Sequence, residues 1–81
     1  MLKISRETKL KPGEAIKKAV AFFGPGGYGL ELKAEDSCTA YFEGGGGSIK
    51  VIAAAGRKGS SVDIESVEWD YQAKQFFDKL K

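Results

Sequence analysis

Histidine is absent from this 81-residue chain, and cysteine, methionine and tryptophan occur once each. Without histidine there is no Ser-His-Asp or Cys-His nucleophile arrangement, and a lone cysteine makes no zinc-ligand set. A single thiol cannot close a disulfide within the chain, which excludes the disulfide-stapled secreted scaffolds. Charge of one sign is concentrated nowhere. Thirteen basic and 11 acidic residues leave a net charge of +2, and no basic run exceeds the pairs Lys17-Lys18 and Arg57-Lys58. Nucleic-acid binders gather their cations on one face or arm, so these charges read as solvated surface and nucleic acid is not an expected partner. Long apolar runs are missing as well. None approaches a membrane span, and the opening Met1-Leu2-Lys3-Ile4-Ser5-Arg6 lacks the apolar stretch of a signal peptide. A reducing cytoplasm is the expected compartment.

What is present suffices for one small folded domain over residues 1–81. Apolar residues make up 42% and charged residues 30%, far from the composition of a disordered chain. Leu2 to Leu10 alternate as a first strand, with Leu2, Ile4 and Leu10 on the buried parity. Arg6 and Thr8 share that parity, either because the strand runs past the core there or because they floor a polar pocket. Pro12 suits the first helical position, where its missing N–H is no loss. Ile16, Ala19, Val20 and Phe23 then form a core-facing stripe. Gly24-Pro25 should stop the helix, with Gly24 in the left-handed C-terminal conformation.

Alternation returns downstream. Tyr28, Leu30, Leu32 and Ala34 read as the inward face of one strand, and Cys38, Ala40 and Phe42 as that of the next, across an Asp36-Ser37 turn. Ile49, Val51 and Ala53 follow the glycine tetrad. Gly56-Arg57-Lys58-Gly59 is a turn leading to inward Val62 and Ile64. Val67 and Trp69 lie on the opposite parity, which predicts a bulge or twist near Ser66. Asp70 is the expected N-cap of a last helix carrying Ala73, Phe76, Phe77 and Leu80, with Lys79 and Lys81 at its negative end. The fold class is therefore α+β in the order β-α-β-β-β-β-α, a mainly antiparallel sheet of four or five strands with two helices packed on one face.

That element order resembles two known architectures. One is the half-repeat of the TATA-box-binding-protein-like fold. The other is a shortened helix-grip domain, whose full-length members wrap a sheet around a C-terminal helix and bind hydrophobic ligands. The resemblance is one of topology across nearly the whole chain, and no site residue is carried over with it. Minor-groove binding needs an apolar and basic open face. The face expected here holds Lys3, Ser5, Glu7, Lys9, Glu31, Lys33, Glu35, Thr39, Tyr41, Glu43, Lys50, Ile52, Asp63 and Glu65, and its six carboxylates repel phosphates. A helix-grip cavity meets a different obstacle. Ligand pockets occupy at least ~300 Å³. At ~24 cal/mol per Å³, such a void would cost roughly 7 kcal/mol, comparable to the whole stability of a domain this small. A shallow cleft, or one shared between two subunits, is the compatible form.

Eight of the 11 glycines fall in two clusters. Gly24-Pro25-Gly26-Gly27-Tyr28-Gly29 spells G-x-G-x-x-G, but it follows a helix instead of opening one, so its dipole end has the wrong sign for a pyrophosphate. Gly44, Gly45, Gly46 and Gly47 lack a P-loop ending. They read as a mobile hairpin loop, an anion nest, or a place of close backbone approach. No cofactor is expected. Cys38 reads as a small core residue, and Asp63, Glu65 and Glu43 as surface carboxylates with catalysis as a remote reading.

Tyr28, Trp69 and Tyr71 are expected to meet at one end of the sheet, as core junction or as the wall of a small cleft. The expected role is a non-enzymatic binding or assembly module. A homodimer would join through sheet edges or through the open face bearing Tyr41 and Ile52. The alternative is a binder of a small amphipathic ligand near the start of the last helix, and carboxylate catalysis stands third.

Overall fold

A computed structural model describes residues 2–24, 26–57 and 59–79, the side chain of Lys79 excepted. The elements are β1 (Leu2–Thr8), α1 (Pro12–Phe23), β2 (Glu31–Glu35), β3 (Thr39–Gly44), β4 (Gly47–Ala55), β5 (Ser60–Val67) and α2 (Asp70–Lys79). The sheet has five strands in the order β1-β5-β4-β3-β2, and every neighbouring pair is antiparallel. β2 to β5 form a meander, while β1 returns to pair with β5. α1 therefore carries the chain from one edge of the sheet to the other. No described helix is long and apolar enough to cross a membrane.

The apolar periodicity accounts for the core. Ala15, Ile16, Ala19 and Phe23 of α1 are buried, as are Ala73, Phe76 and Phe77 of α2. They cover Ala40, Phe42, Ile49, Val51, Ala53, Val62 and Ile64 of the sheet. Phe23 lies at its centre, with ring centroids 5.8 Å from Phe42 and 5.2 Å from Phe76. Leu80 and Lys81 lie outside the described residues, and so do Pro25 and Lys58.

The helix ends depart from expectation. Glu14 accepts from the N–H of Lys11 at 3.4 Å, but a lysine side chain has no acceptor with which to complete a capping box. Gly24 is extended, with φ −74° and ψ −168°, and not left-handed. The proline next in sequence explains this, since it disfavours helical conformations in the residue before it. In α2 the first helical bond runs from the Ala73 N–H to the Trp69 carbonyl. Trp69 thus holds the N-cap place and Asp70 opens the helix, still at the end where a carboxylate suits the dipole.

Strand parity is corrected in four places. β1 ends at Thr8, where β5 begins opposite it at Ser60. In β2 the register shifts between Leu32 and Ala34, leaving Lys33 as a bulge. Ala34 consequently pairs with outward Tyr41 and is exposed, while Glu35 changes face to pair with Ala40. Cys38 is exposed and not in the core. It lies in the β2–β3 turn, where Asp36 Oδ1 accepts from its N–H at 2.9 Å and its carbonyl accepts from Ala53. Finally, β5 runs in unbroken register through Ser66, without a bulge. Ser66 is fully buried, and the turn comes two residues later at Glu68, whose φ is +69°.

Phe23→Ala removes the ring at the centre of this cluster and is expected to lower stability by ~3–5 kcal/mol. Urea denaturation measures it, and a loss below about 1 kcal/mol, within the range of ordinary surface changes, would show that the cluster is not the core.

Candidate functional site

The corner between β5 and α2 is built on the second glycine cluster. Gly44 and Gly47 pair across the β3–β4 hairpin, and Gly45 and Gly46 have φ of +60° and +81°. Positive φ at both central residues is the signature of a two-residue type I′ turn, which glycine enters without steric cost. The outer two glycines answer to space. A Cβ on Gly44 would meet Leu30 Cδ2 at 2.7 Å, and one on Gly47 would meet the Val67 carbonyl oxygen at 2.1 Å.

Trp69 lies over this hairpin. Its Nε1–H donates to the Gly44 carbonyl at 2.9 Å, and its ring leaves 2.8 Å for a Cβ on Gly45. The buried Ser66 hydroxyl accepts from the Trp69 N–H at 3.2 Å, so the corner leaves no buried side-chain polar atom unsatisfied among the described residues. Tyr28 joins from the α1–β2 loop, its ring 6.1 Å from Trp69 and its hydroxyl donating to Gln75 Oε1 at 2.8 Å. Tyr71 does not join; it is 68% exposed. The aromatic corner thus brings together half-buried Trp69 and Tyr28, itself 43% exposed.

Most N–H groups of the first glycine cluster are used to close the end of the helix before it. Gly24 donates to Val20, Tyr28 to Phe22, Leu30 to Phe23, and both Gly27 and Gly29 to the Gly24 carbonyl. These N–H groups close the C-terminal end of α1, whose last carbonyls would otherwise lack partners.

On the uncovered face, cross-strand neighbours run Lys3–Glu65–Lys50–Tyr41 and Ser5–Asp63–Ile52–Thr39. The Lys3 ammonium stands 3.3 Å from Glu65. Asp63 accepts from the Ser5 hydroxyl, and Glu43 from the Tyr41 hydroxyl at 2.9 Å. Tyr41 and Ile52 are half-buried among these groups. Among the described residues, no three Asp, Glu or Cys converge as a metal site.

Two surface clefts flank β1. One, of about 420 Å³, lies between Glu7–Lys9 and the β4–β5 turn. The larger, about 650 Å³, runs between β1 and α2 and is lined by Leu2, Ile4, Arg6, Lys74 and Phe77 among others. Neither is lined by Tyr28, Trp69 or Tyr71. Arg6 answers its odd parity here, with its guanidinium 5.6 Å from the centre of the Phe77 ring, within cation–π range. Leu2, Ile4, Lys74 and Phe77 did not stand out as site residues. The one available signal was an arginine at an inward position of the first strand.

The outer edge of β1 follows from the ladder. N–H and C=O groups alternate sides along an antiparallel strand. The Ala53 N–H points to β3, since it donates to Cys38. Even-numbered residues of β4 therefore face β5, and their partners Ser61, Asp63, Glu65 and Val67 face back. Even-numbered residues of β5 then bond to Leu2, Ile4, Arg6 and Thr8. Lys3, Ser5 and Glu7 are left with their backbone groups turned out of the sheet. Arg6 Nη1 donates to the Ser5 carbonyl at 2.9 Å, as an oxygen outside the ladder allows. The opposite edge differs, for β2 is interrupted by its Lys33 bulge, a device that blocks strand addition.

No family model matches the chain, and neither a curated protein nor a solved structure matches it.

Gly47→Ala should destabilise by about 1–3 kcal/mol, as forced overpacking does, because Val67 offers only backbone to move. Gly26→Ala, with nothing within 4 Å of its Cβ, is the near-neutral control. Equal melting temperatures for the two variants would refute the close fit of the hairpin.

Proposed function

We propose that this chain is a non-enzymatic binding or assembly module that works by strand addition at the outer edge of β1. The observation that carries this reading is the contrast between the two sheet edges. β1 pairs in unbroken register with β5 and turns the backbone groups of Lys3, Ser5 and Glu7 outward, beside a cleft that can receive side chains. β2 is bulged and carries Glu31, Lys33 and Glu35. In strand addition the main-chain bonds supply affinity, and pockets beside the edge supply specificity. The mixed charges of the open face and its carboxylates argue against a phosphate backbone as partner. The likeness of element order to the TATA-box-binding-protein-like half-repeat and to helix-grip domains carries no function of its own.

A second reading rests on Arg6 over Phe77. The β1–α2 cleft sets the cations Lys3, Arg6 and Lys74 against the carboxylates Glu7 and Asp78 beside apolar Leu2, Ile4 and Phe77, an excess of positive charge that suits a small amphipathic anion. Native mass spectrometry with medium-chain carboxylates is its test, with a bound species expected for the wild type and lost in Arg6→Ala. A bound species unchanged by that substitution would sink it.

Ser5→Pro tests the main proposal. It removes an outward N–H while leaving the β5 ladder its partners, and proline is tolerated on edge strands. Self-association, or retention of displayed extended peptides as long as the seven residues of β1, is expected for the wild type and abolished by Ser5→Pro. Association that survives the proline in a folded protein would exclude the β1 edge.

A further inference from the structure

Resting on the strand-addition reading, we infer that the partner at β1 is a second copy of the chain, joined antiparallel about a two-fold axis at Ser5. The three outward-facing residues, Lys3, Ser5 and Glu7, are complementary to themselves when reversed. With the axis at Ser5, Lys3 of each copy lies opposite Glu7 of the other and Ser5 lies opposite Ser5. Each of these facing pairs exchanges both of its backbone bonds, so every outward donor and acceptor of the edge is used. The Ser5 carbonyl has two lone pairs, and Arg6 occupies only one of them.

Other registers fail on the same residues. Moving the axis to Ile4 sets Lys3 opposite Ser5 and takes Glu7 away from Lys3, so both opposite-charge contacts are lost. Moving it to Arg6 sets Arg6 against Arg6 and Lys3 against Lys9, and like charges directly opposite are destabilising. Parallel pairing in register sets Lys3 beside Lys3 and Glu7 beside Glu7. The charges that would deter a foreign strand thus fit one arrangement of this strand with itself. On the uncovered face the Lys3–Glu65 pair becomes a continuous row, Glu65–Lys3–Glu7, across the junction. On the helix face, half-buried Ile4 lies opposite Arg6, whose aliphatic stem covers apolar surface well. The two β1–α2 clefts then adjoin across the axis.

Charge complementation between two single variants is the test. Lys3→Glu makes both facing residues acidic and Glu7→Lys makes both basic, so each variant alone should dimerise about tenfold or more weakly than wild type. Mixed in equal amounts they restore both opposite-charge contacts and should form a heterodimer. Sedimentation equilibrium up to about 1 mM reads the mass against 8.7 kDa for one chain, with Trp69 fluorescence confirming the fold. Because Lys3 also pairs with Glu65, Ser5→Cys combined with Cys38→Ser is a second variant that leaves both charges in place. Facing Cα atoms about 5.5 Å apart are within disulfide reach, so oxidation should yield a covalent dimer under native conditions and none in denaturant.

A wild type that stays at 8.7 kDa while retaining extended peptides through Ser5 overturns the second copy as partner and leaves strand addition standing. A dimeric wild type whose two charge variants dimerise equally well alone overturns the register. Absence of both self-association and peptide retention overturns the strand-addition reading with it.

Discussion

The close approach of Trp69 to the Gly44–Gly47 hairpin sets the geometry on which the rest of the domain depends. Only glycine leaves room for the Trp69 ring at Gly45 and for the Val67 carbonyl at Gly47. The indole donates to the Gly44 carbonyl, and the Trp69 carbonyl starts α2. A residue held by its side chain on the hairpin and by its backbone at the start of the helix fixes where α2 leaves the sheet. The direction of α2 in turn sets Phe76 against Phe23 and Phe77 beneath Arg6. The β1–α2 cleft is the consequence, because α2 packs on β5 and leaves the last strand of the sheet partly uncovered.

A small domain has limited means of covering a five-stranded sheet. Two helices of 12 and 10 residues bury the inner face of the central strands and leave Leu2 and Ile4 of β1 only half-buried. The outer edge of that strand keeps backbone donors and acceptors with no strand partner, the Ser5 carbonyl being engaged by its neighbour Arg6. Completing the sheet with another strand removes both deficits at once, and the order Lys3, Ser5, Glu7 makes a second copy a fitting donor. The exposed backbone of an edge strand is a hazard unless its side chains restrict what can pair. Here opposite charges two residues either side of Ser5 supply that restriction.

The candidate site was legible in the sequence only in part. Arg6 at an inward position marked the cleft, yet its neighbours Lys74 and Phe77 come from the far end of the chain and share no local pattern with it. Tyr28 and Trp69 do meet, as their places near the strand and helix ends suggested, whereas Tyr71 turns to solvent. Cys38 follows the parity of Ala40 and Phe42 in sequence, but it lies in the turn just before β3 begins at Thr39, where alternation no longer predicts burial. Ala34 and Glu35 were misplaced by a bulge at Lys33 that no glycine or proline announces.

Local pattern was enough to set the element order, the Pro12 start of α1, the two apolar stripes and the inner-face residues from Phe42 to Ile64. These follow from the 3.6-residue and two-residue periods, which depend on a residue and its near neighbours. Wrapping β1 onto β5, and hence which edge stays open, was decided by the tertiary structure. So was the fit of Trp69 against Gly45 and Gly47, because a period records which way a side chain faces and carries nothing about which distant strand or ring will lie beside it.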